Sequence, residues 1–113
     1  MSESMLEYIQ VETTTATQDE AERIARALLE ARLAACVQIV PCQSLYHWQG
    51  AIEESRELRC TIKTRKDLFP EIVSLICSLH SYNTPEIIAA AIVDGAPAYL
   101  DWMQQELKAQ KSA

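Results

Sequence analysis

The chain has 113 residues, 49% of them apolar, and a formal net charge of −6. That length is one domain, 1–113, able to bury a core without disulfides or a structural metal. The acidic balance argues against nucleic-acid binding, which draws on Lys and Arg, the two glycines argue against a glycine-rich phosphate cradle, and no apolar run reaches the ~20 residues needed to span a bilayer.

Met1-Ser2-Glu3-Ser4 has neither a basic start nor an apolar stretch, so no signal peptide and a cytoplasmic location are expected. Cys36, Cys42, Cys60 and Cys77 form no C-x-x-C pair and fit a reducing compartment. The ends, Met1 to Ser4 and Ala109 to Ala113, read as frayed. Leu6 to Thr13 reads as a strand by the alternation of Ile9, Val11 and Thr13 with Gln10 and Glu12. Thr17 followed by Glu20 is a capping-box signature, and it opens a helix to about Leu33. Ala21, Ile24, Leu28, Ala31 and Ala35 form its apolar face. Cys36 to Val40 is a short strand. Pro41 marks an edge, bulge or bend, after which the strand resumes through Ser44 to Trp48. Gln49-Gly50-Ala51 is a turn, and Glu57 to Thr64 is the return strand. Asp67 to His80 is a second helix with Pro70 in its first turn and Ile72, Leu75, Ile76 and Leu79 as its stripe. Ser81 to Glu86 is a loop. Ile87 to Val93 is almost wholly apolar and predicts a central strand covered on both faces. Asp94-Gly95 is a turn, and Pro97 opens a last helix carrying Leu100, Met103 and Leu107.

The order β-α-β-β-α-β-α is an α+β arrangement whose first six elements give the ferredoxin-like split β-α-β pattern. Two helices cover one face of such a sheet. The last helix is short for the other face and the extended β2-β3 hairpin, so self-association into a closed ring is expected.

Five segments carry a family resemblance. They are Arg32-Leu33-Ala34-Ala35-Cys36, Tyr46-His47-Trp48-Gln49-Gly50, Glu53 to Thr64, His80-Ser81-Tyr82-Asn83-Thr84-Pro85-Glu86, and Tyr99-Leu100-Asp101-Trp102. In order and spacing the chain resembles the CutA divalent-cation tolerance proteins. The resemblance implies a ferredoxin-like subunit in a homotrimer with hairpins extended across neighbours, kinship in shape with the trimeric PII signal proteins, and no enzymatic activity. It also implies a part in tolerance to divalent metals, copper above all, with metal binding in some members. In some bacterial relatives a cysteine ending the first strand is a proposed ligand. Here Thr13 stands at that place, and a hydroxyl is a poor copper ligand beside a thiolate.

The metal candidates are His80 and Glu86, one imidazole and one carboxylate in a single loop, and Cys42, the cysteine most expected to be exposed. Against that, His80 is equally a helix C-terminal residue favoured by the dipole. His47 points away from Tyr46 and Trp48 and reads as solvent-facing. Cys36, Cys60 and Cys77 read as core. The resemblance places residues such as Trp48, Lys63, Tyr82 and Trp102 in clefts between subunits, where they serve either a ligand pocket or plain interface packing. Glu53, Glu54 and Glu57 read as a solvated or ion-pairing face. A metal-binding trimer and a PII-like scaffold binding a small molecule or partner protein remain open. An enzyme is disfavoured, because no catalytic motif is present.

Overall fold

The computed structural model describes residues 6–110. The expected fraying at Met1 to Ser4 and at the last three residues lies outside them. Ala109 and Gln110 have no regular structure. The elements are β1 (Tyr8–Thr15), α1 (Gln18–Glu30), β2 (Cys36–Trp48), β3 (Ala51–Arg65), α2 (Phe69–Leu79), β4 (Ile88–Ile92) and α3 (Pro97–Glu106), with one 3₁₀ turn at Lys66–Leu68. The four-stranded sheet has the order β2-β3-β1-β4 and is antiparallel throughout. This is the ferredoxin-like arrangement expected from the element order.

Alternation along the strands sorts the two faces. Ile9, Val11, Cys60 and Ile62 point into one core with Ile24 and Leu28 of α1 and Ile72 and Ile76 of α2. On the other face Lys63 and Arg65 meet α3. The Lys63 ammonium lies over the Tyr99 ring, and Arg65 Nη1 donates to the Gln104 side-chain oxygen at 3.0 Å. Arg65 is almost wholly buried, and Asp67 neutralises it through a two-pronged ion pair.

Helix α1 starts as its capping signature requires, with the Thr17 hydroxyl accepting the Glu20 N–H at 3.2 Å. It ends three residues before the predicted Leu33. Arg32 turns left-handed (φ 57°), and the Leu33 and Arg32 N–H groups close back on Leu28 and Leu29. This is a Schellman stop built without glycine.

The hairpin is longer than the alternation suggested. β2 runs through Pro41 without a break, because β2 is an edge strand and Pro41 pairs with Leu58 in unbroken register. β3 begins at Ala51, six residues ahead of the predicted Glu57. Gln49 (φ 50°) and Gly50 (φ 81°) both sit in left-handed space, as a two-residue type I′ turn demands.

Expectations also fail at β4 and at the cysteines, where Cys36, expected in the core, is half-buried, and Cys77 rather than Cys42 is the exposed thiol. β4 is an edge strand and is exposed in the single chain, with Ile88 at 56%. Its apolar run signals burial, and no described residue of the subunit supplies it. Cys77 is exposed on α2 rather than core, since it lies one position beyond the buried Ile76 on the outward side of the helix.

Candidate functional site

The loop after α2 is held by groups taken out of water. His80 caps α2 with an extended backbone (φ −79°, ψ 140°), which turns the chain across the end of β1. Its side chain is fully buried. Nδ1 accepts the Tyr82 N–H at 3.1 Å, which makes Nε2 the protonated nitrogen, and Nε2 donates to the Thr14 carbonyl at 2.8 Å. Glu20, 4% exposed, reaches the same loop. Its carboxylate accepts the Ser81 N–H at 2.6 Å and the Ser81 hydroxyl at 3.1 Å. Burial pushes the Glu20 carboxyl up, but the Ser81 donors and the nearby His80 ring outweigh it and hold the acid below its ordinary range.

So fixed, the loop presents Tyr82 to the base of the hairpin. The Tyr82 hydroxyl donates to Glu57 Oε2 at 2.7 Å. Burial, followed by this bond to a carboxylate, raises the phenol well above its usual range, so it stays a neutral donor. Glu57, expected on a solvated or ion-pairing face, is instead 7% exposed and bonded to a phenol.

Around this pair lies a cavity of about 760 Å³, lined by Tyr46, Trp48, Glu57, Tyr82 and Glu86 among others. Cys42, Ser44, Tyr46 and Trp48 share one face of β2 by alternation, and Cys42 pairs with Glu57 across the hairpin. The Tyr46 hydroxyl is fixed to Ser55 Oγ at 2.8 Å.

The cavity therefore brings together Trp48, Tyr82 and Glu86 of the candidate residues. It does not bring in the others. Lys63 lines a separate depression of about 320 Å³ with Gln10, Asp94 and Tyr99. Trp102 stacks on Tyr99, ring centres 5.4 Å apart. Cys42 is half-buried, its sulfur 3.9 Å from Ser44 Oγ. His80 spends one ring nitrogen on the Tyr82 N–H of the loop and the other on the Thr14 carbonyl of β1. His47 is exposed on the face of its partner Ile52. Among the described residues no three His, Cys, Asp or Glu side chains converge as metal ligands. Thr13 is fully buried opposite Cys60 and offers no accessible ligand. Burial and the charge on Glu20 push the Cys60 thiol up to about 11, so it is no thiolate at neutral pH. Among the described residues the donor set for a metal is thus incomplete.

Glu20 and Glu57 escaped the sequence reading as site residues. The capping box exposed Glu20 only as a local feature, because its partner lies 61 positions away. Glu57 carries no local sign that separates it from Glu53 and Glu54.

Comparison with known proteins agrees with the fold and the motif segments. The family model described as CutA1 divalent ion tolerance protein matches residues 9–106, a span that contains all five segments. The divalent-cation tolerance protein CutA of Thermus thermophilus is 44% identical over 93 residues, covering 81% of this chain and 90% of that protein. Mouse protein CutA is 44% identical over 86 residues, but these span only 49% of its longer chain. Among solved structures, the periplasmic divalent cation tolerance protein CutA of Archaeoglobus fulgidus superposes with a TM-score of 0.88 at 40% identity, covering 89% of this chain and 99% of that one. The Thermus thermophilus divalent cation tolerance protein gives a TM-score of 0.87 at 41% identity. With a family model matched over most of its length and relatives at this identity and coverage, the chain belongs to the CutA1 divalent ion tolerance protein family.

Proposed function

We propose that the protein acts in divalent-cation tolerance as a cytoplasmic homotrimer, a binding and assembly module rather than an enzyme, that takes copper or a similar divalent cation with donors from more than one subunit. The observation that carries this reading is the unsatisfied apolar surface of the single chain. Leu45 and Ile52 on the hairpin are 64% and 71% exposed, and Val93 after β4 is 94% exposed. Such surface on a small domain marks an assembly face. In this reading Glu86 and Cys42 of one subunit are joined by donors of the next, because no three ligands converge among the described residues of one chain. In this reading His80 positions the loop and is not a ligand. Its four free thiols suit a reducing compartment.

The test is a calorimetric titration of copper into chelator-stripped protein, with Glu86→Ala and Cys42→Ser in parallel. Saturable binding at a fixed ratio to the trimer, weakened in either variant, supports the reading. Weak heats without stoichiometry, unchanged by both substitutions, overturn its metal half.

A second reading is favoured by the cavity at the hairpin base. Its volume and aromatic walls suit a small molecule or a partner's side chain better than a bare ion. In that reading the trimer is a PII-like signalling or scaffold protein with its ligand in the clefts between subunits.

A further inference from the structure

We infer that the cavity at the hairpin base is a site for an organic nitrogen cation, a guanidinium or alkylammonium group held between the Glu57 and Glu86 carboxylates and the rings of Tyr46, Trp48 and Tyr82. The inference rests on the cleft reading above and names the chemistry of its ligand.

Glu57 is the starting point. It is 7% exposed and forms no ion pair with any described residue; its hydrogen bond is to the Tyr82 hydroxyl. A neutral phenol offsets only part of the cost of removing a carboxylate from water, and a buried carboxylate calls for a cation. The other buried ionic groups are better compensated: Arg65 has the Asp67 carboxylate, and Glu20 accepts both the N–H and the hydroxyl of Ser81. None of the residues lining the cavity is basic, and a second carboxylate, Glu86, lies on its wall. No lining residue supplies a positive charge to balance the two carboxylates.

The walls discriminate among cations. Tyr46, Trp48 and Tyr82 offer aromatic faces, and such faces attract guanidinium and alkylammonium groups. A divalent metal wants many oxygen donors at short range, and no three acidic, thiol or imidazole groups converge among the described residues. A cavity of about 760 Å³ is also far larger than an ion needs. Tyr46 is tied to Ser55 and Tyr82 to Glu57, so two of the three rings are fixed before any ligand arrives.

The same chemistry has two sources: a free small molecule, or a basic side chain of a neighbouring subunit. The experiment separates them. Agmatine and choline are titrated into the full chain by calorimetry. The uncharged isostere of choline, 3,3-dimethylbutanol, serves as control. Oligomer mass is measured alongside by light scattering at low and high salt. If the cation is free, at least one of the two binds saturably and the neutral isostere does not. Glu57→Gln, which keeps the shape and the Tyr82 bond, then weakens binding at least about tenfold, and Trp48→Ala weakens it about threefold or more. Oligomer mass stays unchanged. If the cation is a neighbour's side chain, neither probe binds, and Glu57→Gln makes the oligomer dissociate at higher protein concentration than the parent. Binding of the neutral isostere as tightly as choline overturns the inference. So does the absence of cation binding together with an unaltered oligomer in Glu57→Gln. A monomeric parent protein that still binds choline through Glu57 would sink the trimer reading and leave the inference standing.

Discussion

Glu20 is a carboxylate taken out of water, and its stability depends on donors 61 positions further along the chain. Because the folded acid ionises below its ordinary value of 4.5, its stabilising effect is fully present above that value and is lost as pH falls through the lowered folded one. Glu20→Gln should lower the unfolding free energy by about 1–3 kcal/mol at pH 7. Urea melts at pH 7 and pH 3 should show the gap to the parent closing in acid; a gap that persists unchanged would assign the loss to shape rather than charge. His80 makes a second prediction at this scale. Ring nitrogen NMR should show Nε2 protonated in the neutral side chain, and a signal for the Nδ1–H form would contradict the bond from the Tyr82 N–H. The chemistry of both residues was only partly legible. Residue type and the capping spacing pointed to Glu20 and His80 as polar groups at helix ends, but which group each one faces is decided by tertiary packing.

At the scale of elements, the hairpin shows where patterning informs and where it fails. Leu58 to Thr64 could be read because its alternate residues enter a core. Ala51 to Arg56 could not, because that half of β3 has no apolar face in the subunit and mixes Ile52 with Glu53 and Glu54. β4 was legible as a strand but not as an edge, because an apolar run reports that burial is needed without saying which chain provides it. The turn was legible through Gly50. A Cβ at Gly50 would meet no atom within 4 Å, so Gly50→Ala tests the backbone alone. It should cost roughly 1–2 kcal/mol from the left-handed conformation. Gln49→Asn should act in the opposite direction, since Asn-Gly suits a type I′ turn. Guanidinium denaturation of the two variants checks both signs.

For the whole molecule, the dimensions make the case for assembly. The described chain measures 51 × 25 × 25 Å, drawn out by a hairpin that carries Leu45, Trp48 and Ile52 on its surface. If these residues and the β4 edge join subunits, Ile52→Asp and Ile88→Lys should each shift light-scattering mass toward the monomer at micromolar concentration. A mass unchanged in both variants would remove the assembly argument. Cutting the same residues from water in a ring would also explain why so small a domain leaves them outside its own core.

The register of the hairpin carries one more consequence. β1 pairs with β3 only as far as Leu58, so from Ala51 to Arg56 each β3 residue has β2 as its one strand neighbour among the described residues. A two-stranded ribbon of that kind opens readily in water. Its amide protons should therefore exchange with deuterium quickly in a lone subunit and slowly once neighbouring chains cover them. If subunits assemble as proposed, the exchange rate of one short stretch of backbone becomes a clock for how long the assembly stays whole.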